Sequence, residues 1–229
     1  MKNITALILF ISLSFAAFSQ YPTFRIDYKF IVDEAVLQTN KNQVDESQID
    51  LINTATLAQA FQKDGEPIIR IYVNKNLVQA NTSIYSKNYE IIDKNKQIIT
   101  TVFPDTEEYY THKDIDNGVI EINDNYYLYS ELPIKFINNT IKEIAGYKCK
   151  LAKIELMNEE TPLIIDIWYN EYFPQAYWGE YKYLKKIPGA ALEISTSGIG
   201  IQATKISPEG RIDIFRIPSG FTQIDPLKE

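Results

Sequence analysis

Side chains able to ionise or attack near neutral pH are scarce in this chain: it has one histidine, His112, and one cysteine, Cys149. A serine or cysteine nucleophile needs a base to take its proton, and His112, in EYYTHKD, is the single imidazole available. No G-x-S-x-G nucleophile elbow accompanies it. A zinc site built on that His and that Cys would need two carboxylates as well. The acid pairs Glu107-Glu108 and Glu159-Glu160 suit glycoside hydrolysis only if they face one another across a cleft, and adjacent residues of a strand point to opposite faces. No Gly-rich phosphate loop and no D-x-D-x-D-G calcium loop occurs. This inventory predicts a protein that is not an enzyme, with no catalytic residue, no metal ligand set and no cofactor. Cys149, in YKCKLAKIEL, has strand-like apolar neighbours and reads as a buried thiol; alone, it forms no disulfide within the chain.

The remaining chemistry is that of flat rings. Ile144 to Ile194 holds the cysteine, both tryptophans and a dense set of tyrosines. Rings lining an apolar concave face can hold an acyl chain or another apolar group. The residues expected to line such a site are Phe24, Tyr28, Phe30, Trp168, Tyr177 and Trp178, each of which serves equally well as core. The aromatic run Tyr177–Tyr183 is alternatively a surface for an envelope protein partner. Tyr126, Tyr127 and Tyr129 stack on a planar ligand or cover a sheet edge, ring buried and hydroxyl wet.

The first residues carry the pattern of an export signal. Lys2 is a short positive region, Ile4 to Phe18 is apolar, and Ala17 and Ser19 are small residues placed for cleavage before Gln20. Residues 1–19 are therefore expected to be a cleaved signal peptide, and 20–229 a single β-rich domain. No cysteine follows the apolar run, so no lipid anchor is expected, and the mature chain has no transmembrane segment. The protein is placed in the periplasm or outside the cell. Removing Lys2 takes the net charge of −7 to −8, which disfavours a nucleic-acid partner because phosphates demand clustered Lys and Arg.

Strand signals dominate the rest. Phe24, Ile26, Tyr28, Phe30 and Val32 alternate with charged or outward residues, placing apolar side chains on one sheet face. A helix is expected from about residue 45 to 62, capped by Asp45 or Ser47 and ended near Gly65. Short strands follow over 68–74, 83–93, 97–103, 107–112 and 119–122, with Asn117-Gly118 as a hairpin turn. Residues 146–156 and 163–169 read as a long hairpin, with a bulge between Leu151 and Ala152 that would bring Cys149, Leu151, Ala152, Ile154 and Leu156 to one side. The run after Pro174 fits neither strand nor helix. Strands resume at Leu192, with two more at 198–206 and 211–217 around Pro208-Glu209-Gly210.

Three motifs carry a family resemblance. Gly146-Tyr147-Lys148-Cys149-Lys150-Leu151-Ala152 fits a G-Y-x-C-x-x-A segment. Asp166-Ile167-Trp168-Tyr169 with Pro174 downstream fits a strand bearing a W-Y pair before a proline. Pro188-Gly189, followed by an apolar strand, stands where a G-L-P-G-L-I segment would be. The chain thus resembles the GLPGLI family of exported proteins common in the Bacteroidetes, though Lys186 replaces the first glycine and Ala190-Ala191 the final Leu-Ile. The resemblance implies the fold of the carriers LolA and LolB and the sensor RseB: mainly β, a curled antiparallel sheet forming an open half-barrel, with one or two helices over its concave face. The family has no established activity; the role expected from a curled sheet with an apolar concave face is that of a periplasmic binding or carrier-like module for a lipid or other apolar ligand, with a ligand-free interaction or envelope-sensing module as the alternative.

Overall fold

Strand β1 (Thr23–Val32) lies in the middle of the sheet and pairs antiparallel on both sides. Its neighbours are β2 (Ile69–Val73) and β13 (Ile199–Glu209). The computed structural model describes residues 22–32, 66–82, 87–115, 118–122, 125–157, 162–196, 198–211 and 213–225. From β2 a meander continues through β3 (Leu77–Asn81), β4 (Tyr89–Asp93), β5 (Ile98–Phe103) and β6 (Glu108–Lys113). From β13 a second runs back through β12 (Ala190–Thr196), β11 (Pro162–Asn170), β10 (Tyr147–Met157) and β9 (Ile134–Ile144). With β14 (Thr222–Gln223) these make one curled, open sheet of 12 strands, mainly β as the sequence predicts. Every neighbouring pair is antiparallel except β14, which runs parallel to β6.

The alternation in β1 does what the pattern dictates: Ile26 and Tyr28 are fully buried, with Phe24 and Phe30 packed beside them. Asp27 is buried as well. Arg25 grips both its oxygens, at 3.0 and 2.6 Å, and Arg70 reaches it at 3.0 Å. A buried carboxylate needs such partners, since an unpaired charge out of water is costly. Isoleucines from both meanders (Ile71, Ile92, Ile99, Ile154, Ile167) share one core with Leu192.

Several expectations are corrected. Leu77–Asn81 is a strand, β3, that its Asn74-Lys75-Asn76 turn announces: the Asn74 side chain accepts from the amides of Asn76 and Leu77. β7 (Val119–Ile122) has no pairing with β6 among the described residues, and Asn117 of the expected Asn117-Gly118 turn lies outside them. β7 pairs with β8 (Asn125–Leu128) in a separate ribbon, while β14 takes the free side of β6. The last two expected strands are one: β13 runs through Pro208 to Glu209, matching the full length of β1, and residues 213–215 are a single 3-10 turn. Pro208 is tolerated because β12 pairs with β13 only as far as Gln202, so that end of β13 has one neighbour. The irregularity near Leu151 lies in β9, where the register jumps from Ile141 to Ile137 opposite Lys150 and Leu151. Cys149, Ala152, Ile154 and Leu156 join the core, whereas Leu151 is buried opposite Trp168. The hairpin of β10 and β11 forms as read. The proposed signal peptide and the 45–62 helix lie outside the described residues.

Candidate functional site

Residues 171–189 connect β11 to β12 and lie on the core side of the sheet. Their irregular sequence spacing has a local cause. Trp178 is extended, Gly179 has a φ of +40°, and Tyr181 breaks the following 3-10 segment, Gly179–Lys186. Three-residue turns therefore replace α-helical ones, with Tyr181 N–H donating to the Trp178 carbonyl at 2.7 Å and Ile187 N–H to that of Leu184 at 2.9 Å. The geometry sends Phe173, Tyr177, Trp178, Tyr183, Leu184 and Ile187 into the core.

Polar contacts fix this bridge to both meanders. Gln175 closes it on itself, its amide donating to the carbonyls of Lys185 and Ile187 at 2.7 and 2.8 Å. Gly179 N–H donates to Glu90 on β4 at 3.1 Å. Beyond β6, Asp114 accepts the Tyr177 hydroxyl at 3.1 Å and pairs with Lys185 at 2.9 Å. Lys186 donates to the Ser130 carbonyl at 2.7 Å. The last joint is Gly189, at φ +122°, where a Cβ would sit 2.3 Å from the Asn170 carbonyl oxygen. Only glycine fits there.

The structure brings some of the expected ligand residues together and separates others. Tyr28 and Trp178 meet with ring centroids 5.8 Å apart, and the Tyr28 hydroxyl donates to the Ala191 carbonyl at 2.7 Å. Tyr177 is turned toward Asp114 instead. Phe24 packs edge-on against Phe173 at 5.1 Å, and Phe30 is partly buried. Trp168 is partly buried, packed against the core beside Lys142 and Glu193. Lys142 lies 5.6 Å over its ring while binding both Glu193 oxygens at 2.7 Å, and Gln202 donates to the same buried carboxylate at 2.6 Å.

The residues of the G-Y-x-C-x-x-A and P-G motifs have architectural positions. Ala145 and Gly146, with φ of +50° and +84°, form the tight turn between β9 and β10, which starts at Tyr147. Cys149 and Ala152 are fully buried, Tyr169 nearly so, and Pro188 precedes the crowded Gly189. The Cys149 thiol donates to the Tyr147 carbonyl, and burial, with the nearby Glu193 charge, pushes its pKa up to about 11. A thiol held protonated is a poor nucleophile. His112 is exposed and stacks on Tyr110 at 5.5 Å. Among the described residues no three His, Cys, Asp or Glu side chains are grouped to hold a metal ion, and no helix is long and apolar enough to cross a membrane.

Sequence reasoning missed Lys94, which reads as one more charge in an Asp-Lys-Asn-Lys turn. Its ammonium donates to the carbonyls of Asn74 at 2.7 Å and Gln175 at 2.8 Å, beside an open cleft of about 470 Å³.

No family model and no curated protein matches the sequence. Among solved structures, the chain is similar to PNGF-II in the C2 space group, with 14% identity and a TM-score of 0.50 over 90% of this chain. The alignment covers 31% of PNGF-II, so the chain spans less than a third of that protein's length. At this identity the likeness is one of fold.

Proposed function

We propose that this is an exported, non-catalytic interaction module of the GLPGLI type, working through the edge strand β9 and not through a lipid-filled trough. The observation that carries the reading is where the apolar residues go. The core side of the sheet is occupied by the chain's own bridge, with Tyr28 and Trp178 buried against each other. β9, by contrast, hydrogen-bonds to one strand only among the described residues and leaves Phe136 and Ile141 44% and 56% exposed. An unpaired strand edge with apolar side chains beside it fits an extended segment of a partner protein, held by main-chain hydrogen bonds. The GLPGLI assignment is supported by the motif residues falling at turns and in the core, where they would preserve this sheet.

Photo-crosslinking in the cell envelope tests the reading. A crosslinker replacing Phe136 or Ile141 is expected to give a discrete protein adduct, while one replacing Ile115 or Tyr126 gives none. Phospholipid or fatty acid co-purifying in equal molar amount, and lost in Trp178→Ala, would instead return the protein to the carriers.

A further inference from the structure

We propose that the cleft beside Lys94 binds a small aromatic carboxylate, with the Lys94 ammonium meeting the carboxylate and the exposed Tyr172 meeting the ring. The cleft is lined by Lys75, Lys94, Glu171, Tyr172, Phe173 and Gln175, and its volume of about 470 Å³ lies in the range of small-molecule sites.

Lys94 is the reason to expect an anion. An ammonium has three N–H donors, and two of them are used, on the Asn74 and Gln175 carbonyls. Both acceptors are neutral. The acids that border it are engaged elsewhere: Asp93 pairs with Lys96 at 3.3 Å, and Glu171 with Lys150 at 2.9 Å. Lys94 is thus a largely desolvated cation without a counter-charge among the described residues, and burial lowers its pKa to about 8. Buried charges are ordinarily paired, and a carboxylate on the third N–H completes the set. The Lys150 pairing offsets the charge of Glu171 on the same lining. Tyr172 is 73% exposed and meets Phe173 edge-on at 5.2 Å, leaving ring surface for a flat ligand at the mouth.

This site is independent of the β9 edge. It is tested by calorimetric titration of the purified chain with benzoate, with benzyl alcohol as the uncharged control. Benzoate is expected to bind at pH 6.5 and benzyl alcohol not. Affinity should fall at least tenfold by pH 9.5, because Lys94, whose pKa burial lowers to about 8, is then mostly neutral. Lys94→Gln should abolish binding, and Tyr172→Ala, at an exposed position that leaves folding intact, should weaken it severalfold. Lack of benzoate binding at millimolar concentration, equal binding of benzyl alcohol, or an affinity indifferent to pH and to Tyr172→Ala would each overturn the proposal.

Discussion

The bridge of residues 171–187 and the edge strand β9 are built from similar materials, aromatic and aliphatic side chains interspersed with lysines, and they end in opposite environments. In the bridge six large apolar side chains are buried, and Lys185 and Lys186 reach back to Asp114 and Ser130. In β9 only Ile144 is buried. The difference is connectivity. The bridge leaves β11 and must return to β12, its neighbour, so the intervening chain is free to lie across the sheet face. β9 is the last strand of its meander, and its far side meets nothing among the described residues. Composition alone therefore does not tell a core segment from a contact surface; the topology of the flanking strands does.

Substitutions that separate the two regions should differ several-fold in effect. Trp178→Ala removes a buried ring at the junction of both meanders and is expected to cost about 3–5 kcal/mol in denaturant unfolding. Phe136→Ala on β9, half-exposed, should cost less than about 1 kcal/mol. Equal losses would erase the contrast. Gly189→Ala should follow Trp178→Ala closely, at about 3 kcal/mol, because its Cβ meets backbone that cannot swing aside.

Alkaline pH probes the bridge from another direction. Burial raises the pKa of Tyr28, Tyr181 and Tyr183 above the ordinary 10, and that of Cys149 from 9.0 to about 11. The folded state favours their protonated forms, so their contribution is intact below pH 9 and is lost as pH rises past the unfolded values. Lys94 has the opposite sign. Its pKa is lowered from 10.5 to about 8, so the penalty of its charged form is relieved between those values. The thermal midpoint should hold or rise slightly from pH 8 to 9 and then fall steadily. A monotonic fall beginning at pH 8 would contradict the placement of Lys94. The smallest effect belongs to the β9 end: Ala145→Asn should stabilise by about 0.5 kcal/mol, since Asn tolerates the positive φ found there.

Much of the sheet is legible in the sequence. Period-two alternation gives β1, and the hairpin of β10 and β11 follows from two apolar runs around a polar turn. What escapes is long-range. Nothing local tells that β7 takes β8 as its partner, or that β14, over a hundred residues beyond β6, lies alongside β6. The bridge's buried rings are visible as residue types, but whether they face a ligand or one another is decided by Gly189 and Asp114, which only packing identifies. Lys94 is hidden because desolvation of a turn lysine depends on Gln175, far along the chain.

The central claim, that the apolar face is filled by the protein itself, meets its most direct test in the emission of Trp178. The chain has two tryptophans, so in Trp168→Phe all tryptophan emission comes from the bridge. Titration with bromine-labelled fatty acid, a short-range quencher, is predicted to leave that emission unchanged up to millimolar concentration. Saturable quenching at one acyl chain per protein would place a lipid beside Trp178 and contradict the account.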